Sequence, residues 1–224
     1  MSFNNGSINN IIVLQHGWGF DRSCWDTFLP AEQGLDVILP DRGYFSTPIE
    51  EEIAHKDIAA IICHSFGLYL IPEALFSRCQ LLVLLGCFQS FHGESPGEEK
   101  KTTGFIESML HDLHTTPGLL FEKFYKNCGC SIPVPAEKNM NIDLLSDDLR
   151  VLNDNLFDLD KIRHIPQILL LHGDKDRIVP LQRSRKIAAN IKNASLIEVQ
   201  HAGHALPFSH PEICWRYIRE KMDI

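Results

Sequence analysis

The chain has 224 residues, a formal net charge of −8, 44% hydrophobic residues and 22% charged residues. This length and composition predict one soluble globular domain with a sizeable core, and the acidic balance argues against a nucleic-acid-binding protein. No apolar run reaches the ~18 residues of a membrane span, and residues 1–10 show no signal-peptide pattern, so we expect a cytoplasmic protein.

Six short apolar runs, most of them followed by a turn signal, predict strands at residues 10–15, 35–39, 57–63, 80–85, 167–171 and 195–199. Such near-continuous apolar runs are typical of strands that are buried on both faces of a parallel sheet. Helical patterns at 24–29, 68–79, 181–191 and 212–222 fall between or after them. This alternation predicts an α/β fold with a mostly parallel, doubly wound sheet in a single domain, residues 1–224.

No strand is predicted between the fourth and the fifth apolar run. Helical patterns appear there instead, at 103–113, 118–127 and 143–159. We therefore predict a helical insertion over approximately residues 88–163, where a lid over an active site would lie. The connection 40–56 contains Gly43 and Pro48, so any helix there is short.

The seven cysteines are an odd number, and several lie in apolar runs, which indicates reduced, packed thiols. The pair Cys128 and Cys130 lacks the C-x-x-C spacing and the second ligand pair of a metal site. We expect no metal.

The stretch from Cys63 to Gly67, CHSFG, follows the third predicted strand. A G-x-S-x-G nucleophile elbow places its serine on a sharp turn between a strand and a helix, which makes Ser65 a candidate nucleophile. Cys63 stands where the first glycine of that pattern belongs. Taken alone, the stretch is equally compatible with an ordinary serine at the end of a strand.

The loop after the first predicted strand reads HGWG, residues 16–19. In a serine hydrolase of this type, one oxyanion-hole N–H comes from this loop and another from the residue after the nucleophile. This assigns the two donors to the amides of Trp18 and Phe66. A glycine turn beside a core tryptophan is the simpler alternative.

Two further strand ends carry the remaining candidates. Asp176 follows the fifth strand, where a carboxylate can orient a histidine, and Asp174 is its less favoured competitor. His204 follows the last strand and is favoured over His201 and His210 as the general base. The chain order serine, aspartate, histidine is the order that an α/β-hydrolase requires.

Together these motifs resemble the α/β-hydrolase superfamily, and in particular the carboxylesterases of biotin synthesis that demethylate pimeloyl-acyl-carrier-protein methyl ester. The matching stretches are LQHGWGFDRSCW, LPDRGYFSTP, LLVLLGCFQSF, LFDLDKIRHIPQILLLHGDKDRIVP and GHALPFSHPEICWRYI. They are spread over most of the chain, and the insertion matches only loosely.

The resemblance implies a serine esterase that needs no metal or organic cofactor. Ser65 would be the nucleophile, His204 its base and Asp176 the residue that orients the base, with Trp18 and Phe66 as oxyanion donors.

The resemblance also implies substrate contacts. The acyl channel would be lined by aromatic side chains, namely Trp18, Phe121 and Phe124. An acidic acyl carrier protein bearing the pimeloyl methyl ester would be the partner, and basic residues of the insertion would meet it. The candidates are Lys100, Lys101, Lys123, Lys126 and Arg150.

Two departures, Cys63 and the much shortened segment 41–57, indicate a divergent or compact relative. Other hydrolases on the same triad stay open as alternatives: a general short-chain esterase, a thioesterase or a C–C bond hydrolase. A non-catalytic binding protein on the same scaffold is a further alternative, which Cys63 favours and the complete triad disfavours.

Overall fold

The computed structural model describes residues 11–29, 34–51, 53 and 57–222. Among these residues six strands form one sheet: β1 (Ile11–Gln15), β2 (Asp36–Ile38), β3 (Ile58–His64), β4 (Cys79–Leu85), β5 (Gln167–Gly173) and β6 (Ala194–Val199). The spatial order is β2-β1-β3-β4-β5-β6, and each neighbouring pair is parallel. The predicted fold class is confirmed. Residues 1–10, which include the start of the predicted strand 10–15, lie outside the described residues.

The α-helices, in chain order, are α1 (Gly67–Leu70), α2 (Glu73–Phe76), α3 (Pro96–Thr115), α4 (Pro117–Cys128), α5 (Ile142–Asp154), α6 (Gln182–Asn190), α7 (Leu206–Ser209) and α8 (Pro211–Met222). Helices α3, α4 and α5 lie between β4 and β5, in the predicted insertion. In the described parts of the chain, no helix is long and apolar enough to cross a membrane.

Each central strand is buried on both faces, and its side chains alternate between two cores. In β4, Leu81, Val83 and Leu85 join the larger core, which contains the insertion helices and α8. Leu82 and Leu84 join the smaller core on the opposite face, where α1, α2 and α6 pack. This two-residue period explains why the strands read as continuous apolar runs.

Four predicted helices were wrong in extent. The pattern at 68–79 is two short helices, because Pro72 cannot continue the first and Ile71 before it is extended, with ψ 124°. The pattern at 24–29 is a 3₁₀ helix, Arg22–Trp25, capped by Asp21.

The third correction concerns the pattern at 143–159, where α5 ends at Asp154 and a separate 3₁₀ turn follows at Leu159–Lys161. Helix α3 is longer than the predicted 103–113. It begins with a capping box formed by Ser95 and Glu98, with Pro96 in the first turn. These residues are the sequence signals of the earlier helix start.

A histidine is buried where β3 ends. His64 has no exposed surface, and its Nε2 lies 3.1 Å from the backbone oxygen of His204. Since a carbonyl oxygen can only accept, Nε2 carries the proton and donates it. Burial, helped by repulsion from His204, lowers the pKa of His64 to about 3 from the ordinary value of 6.5.

His64 should therefore contribute to acid unfolding. Between its two pKa values the unfolded chain binds a proton that the folded chain does not, so stability is full above about pH 6.5 and falls as the pH drops towards 3. We expect His64→Gln to reduce the slope of unfolding free energy against pH by up to about 1.4 kcal/mol per pH unit in this window. Urea denaturation at several pH values measures the slope.

The matched control is His111→Gln, which changes an exposed histidine of α3 and should leave the slope unaltered. An unchanged slope in His64→Gln would contradict the burial of a neutral imidazole.

Candidate active site

The turn after β3 holds Ser65 in an uncommon backbone conformation. Its φ is +53°, and its N–H donates to the oxygen of Leu85 on β4 at 2.9 Å. A non-glycine residue at positive φ is unusual, and such strain is typically found at functional turns. Helix α1 begins two residues later, at Gly67. The predicted strand, turn and helix are all present around Ser65.

Three of the predicted site residues meet at the carboxyl edge of the sheet. Ser65 Oγ lies 2.8 Å from His204 Nε2, and His204 Nδ1 lies 2.7 Å from Asp176 Oδ2. Because the carboxylate can only accept, Nδ1 donates to it, which leaves Nε2 free to accept the hydroxyl proton of Ser65. His204 is thus held in the tautomer that a general base needs.

The alternatives in the sequence lie elsewhere. His201 is exposed at the turn before the His204 loop, and the ring of His210 contacts Ser209 rather than Ser65. Asp174 pairs with the exposed Lys175.

Asp176 is buried yet remains a carboxylate. Burial alone would raise its pKa, but the attraction of His204 and hydrogen bonds from His172 and His204 outweigh this, so the pKa lies well below its usual range. Its Oδ1 accepts the backbone N–H groups of Ile178 and Val179, both at 2.8 Å. The negative charge is therefore fixed next to the imidazole.

Two residues of this site went unnoticed in the sequence. His172, which lies within the stretch LLLHGDKD, approaches Asp176 Oδ2 to 3.2 Å. Gly86 follows β4 with φ +61°, and a Cβ there would lie 3.2 Å from His204 Nδ1. Gly86 is needed because His204, from a distant part of the chain, lies next to it. The sequence gives only one weak signal of this, a glycine in the turn that follows an apolar run.

The predicted oxyanion donors belong to two loops that touch. A Cβ on Gly17 would lie 3.0 Å from Ser65 Cβ, so the loop after β1 packs directly on the turn. Among the described residues, neither the Trp18 amide nor the Phe66 amide donates a hydrogen bond to another protein group. Both N–H groups therefore lack a protein acceptor among these residues.

The indole of Trp18 is fixed by the insertion. Its Nε1 donates to the oxygen of Leu145 on α5 at 2.9 Å. On α4, Phe121 stacks against the indole at 5.7 Å between ring centroids, and Phe124 meets it edge-on at 5.2 Å. These contacts hold the backbone that carries the Trp18 amide.

An apolar cavity lies against Ser65 and encloses about 20 Å³, room for about one water molecule. It is lined mainly by side chains of the insertion and the neighbouring loops: Trp18, Phe66, Phe88, Phe91, Phe105, Ile106, Met109, Phe124, Leu149, Leu152 and Ile178. Trp18 and Phe124, two of the residues predicted to line an acyl channel, both line this cavity. Phe121 does not, because it lies behind the Trp18 indole and is fully buried.

Helix α4 also contacts the loops on either side of the site. The Tyr125 hydroxyl donates to the oxygen of Gly19 at 2.9 Å, next to Trp18. At the end of the helix, the oxygen of Cys128 accepts the N–H of Ala205 at 2.9 Å, next to His204. One helix therefore ties the candidate oxyanion loop to the histidine loop.

A second tie joins the insertion to the loop after β2. Two nitrogens of the Arg42 guanidinium, Nε and Nη2, each donate to the buried carboxylate of Asp148 on α5 at 2.9 Å. The Tyr44 hydroxyl donates to the same carboxylate at 2.6 Å. The backbone N–H of Asn141, just before α5, donates to the oxygen of Tyr44 at 2.8 Å.

Cys63 lies beneath the turn, in the smaller core with Leu68, and has no exposed surface. Burial raises the pKa of its thiol well above the ordinary range, so the sulfur is a neutral packing group. In the part of the chain that the structure describes, no cluster of histidine, cysteine and carboxylate side chains is suited to hold a metal ion.

The basic residues predicted to meet a carrier protein are exposed. Lys100 and Lys101 lie on α3, and Lys123 and Lys126 lie on α4. Arg150 of α5 is paired with Asp147 at 2.7 Å.

Comparisons with known proteins agree with this architecture. Among curated proteins, the chain is 28% identical to a pimeloyl-[acyl-carrier protein] methyl ester esterase of Aromatoleum aromaticum over 249 aligned positions, which cover 91% of this chain and 94% of the relative.

Among solved structures, an esterase of Exiguobacterium antarcticum superposes with a TM-score of 0.76 at 14% identity, covering 96% of this chain and 92% of its own. A bromoperoxidase of Bacillus anthracis gives a TM-score of 0.75 at 18% identity, covering 97% and 93%. At these identities the two structures support the fold alone. The profile of the alpha/beta hydrolase family matches residues 11–216, nearly the whole chain. This protein belongs to the alpha/beta hydrolase family.

Proposed function

We propose that this protein is a serine carboxylesterase in which Ser65 is the nucleophile, His204 the general base and Asp176 the residue that orients the base. The observation that carries this proposal is the unbroken hydrogen-bonded line from Ser65 Oγ through the His204 imidazole to Asp176 Oδ2, with contacts of 2.8 and 2.7 Å. The strained turn at Ser65 presents this oxygen beside an apolar cavity.

In the proposed reaction, Ser65 Oγ attacks the ester carbonyl carbon while His204 Nε2 takes its proton. The bond from carbon to the alcohol oxygen then breaks, and His204 returns the proton to the leaving alcohol. Water next gives a proton to His204 and attacks the acyl-serine ester, which releases the carboxylic acid and restores Ser65. Asp176 stays ionised and stabilises the imidazolium.

The amides of Trp18 and Phe66 would bind the negative oxygen of each tetrahedral intermediate. Donors fixed in advance are effective because they need no reorganisation during the reaction, and loss of one typically costs ~10²–10³ in rate. The contacts of the Trp18 indole with α4 and α5 supply this rigidity.

For the substrate, we propose the methyl ester of pimeloyl-acyl-carrier protein, with methanol and pimeloyl-acyl-carrier protein as products. The relative from Aromatoleum aromaticum carries that name. The side chains around Ser65 are apolar, as the surroundings of a methylene chain should be, and Lys123 and Lys126 are exposed to an acidic carrier.

The charge of the insertion favours a second candidate, a general esterase that acts on small free esters. Residues 96–154 hold ten acidic and six basic residues, a balance that would repel an acidic carrier. Arg150 is already neutralised by Asp147. The small cavity also favours a short substrate.

Ser65→Ala should lower kcat/KM for p-nitrophenyl acetate at least about a thousandfold, because it removes the attacking oxygen. Asp176→Asn should lower kcat by about 10⁴ and leave a measurable residual rate, and His204→Ala should prevent labelling of Ser65 by a fluorophosphonate. Stopped absorbance assays and gel fluorescence measure these effects.

The matched controls are Asp174→Asn and His201→Asn, which change the neighbouring alternatives. The second introduces a residue that tolerates the positive φ of 63° at that position. Full activity in a folded Ser65→Ala protein would contradict the nucleophile assignment.

Turnover of the methyl ester on the carrier, compared with dimethyl pimelate, separates the two substrates. If the carrier is the partner, the double variant Lys123→Glu, Lys126→Glu should lose about tenfold or more in kcat/KM on the carrier-bound ester, with a strong salt dependence in the native protein. The free ester should be unaffected, as should both substrates in Lys192→Glu, an exposed lysine outside the insertion. Equal turnover of both esters, insensitive to salt, would favour the general esterase.

A further inference from the structure

A buried histidine beside the candidate triad has no part in the proposed reaction. His172 lies in β5 without exposed surface. Its Nε2 is 2.9 Å from the oxygen of Val179 and 3.2 Å from Asp176 Oδ2. Its Nδ1 is 2.7 Å from Oγ of Ser184, which lies on α6 and is also fully buried.

These partners fix the tautomer of His172. The carbonyl oxygen of Val179 can only accept, so Nε2 carries the proton and donates it to Val179, and the same nitrogen lies against Asp176 Oδ2. Nδ1 must then accept, and the Ser184 hydroxyl is its donor. Ser184 Oγ is also 3.4 Å from the oxygen of Cys87. Its single proton is donated to His172 Nδ1, because that contact is shorter.

Asp176 is consequently in contact with four N–H groups, three of which donate hydrogen bonds to it. Two backbone amides donate to Oδ1, from Ile178 and Val179. At Oδ2, His204 donates a hydrogen bond at 2.7 Å, and Nε2 of His172 lies 3.2 Å away while it donates to Val179. Rotation of the carboxylate would break bonds at both oxygens at once. The oxygen that faces His204 is the one that His172 restrains.

We propose that His172, held by Ser184, is a positioning residue that keeps Asp176 Oδ2 in line with His204 Nδ1. This inference rests on the proposed function. A line of buried polar contacts runs from Ser184 on α6 through His172 and Asp176 to His204 and Ser65. A misplacement of about 1 Å in such a line can cost ~10²-fold in rate, although His172 never touches the substrate.

The test compares three variants. His172→Leu removes the donor and should lower kcat on p-nitrophenyl acetate by about ten- to a hundredfold, with KM changed less than about twofold. His172→Gln keeps an N–H for Asp176 and an oxygen for the Ser184 hydroxyl, and should recover most of the loss. Ser184→Ala should lower kcat in the same direction by a smaller factor. His164→Gln, an exposed histidine, is the control that should change neither parameter.

A double-mutant cycle separates positioning from a general structural role. If His172 acts through Asp176, then His172→Leu should reduce kcat little or not at all in the Asp176→Asn background, because their effects are coupled. The low-field proton resonance of His204 Nδ1–H should shift in His172→Leu and return in His172→Gln. This signal does not depend on activity.

Unchanged kcat in folded His172→Leu, equal losses in the Leu and Gln variants, or additive losses in the cycle would overturn the proposal. If the assignment of Ser65 is wrong, the result is different: Ser65→Ala keeps full activity, both with His172 and with the His172→Leu substitution. In that case the proton resonance still reports whether His172 restrains Asp176.

Discussion

The site depends on the close approach of the turn at Ser65 to the loop that follows β1. A Cβ on Gly67 would lie 2.5 Å from the oxygen of Gln15, and one on Gly17 would lie 2.8 Å from the oxygen of His64. Both distances are far inside van der Waals contact, so neither position accepts a side chain without movement of the backbone. This contact packs the loop that carries Trp18 against the turn that carries Ser65 and Phe66, and it supports the strained φ of Ser65.

The same constraint explains why Cys63 is tolerated in place of a glycine. The side chain at 63 points away from the loop after β1, into the smaller core beside Leu68, where a thiol fits as a small apolar group. The G-x-S-x-G pattern requires glycine equally at the positions of Cys63 and Gly67. The packing distinguishes them, because the tight contacts fall on Gly67 and on Gly17.

The strands and the three residues of the candidate triad could be predicted because each depends on local information: an apolar run, then a polar residue at its end. Parallel topology brings those ends to one edge of the sheet. Contacts between side chains of distant segments could not be predicted. From the sequence alone, His172 is predicted to be one more residue of a core strand. Phe121 and Phe124, one helical turn apart, are predicted to have the same role. Only the packing shows that His172 lies against the carboxylate of Asp176 and that Phe121 lies behind Trp18.

The helices of the insertion are attached unequally. Helices α4 and α5 are hydrogen-bonded to the strand-end loops through Tyr125, Cys128 and Asp148, so they belong to the rigid frame of the site. Helix α3 packs on those two helices and covers the cavity with Phe105 and Met109. Sequence drift in α3 can therefore alter which molecules are admitted while the reacting groups keep their places. The choice of bound molecule can therefore change through mutations in α3 while the residues around Ser65 and His204 stay the same.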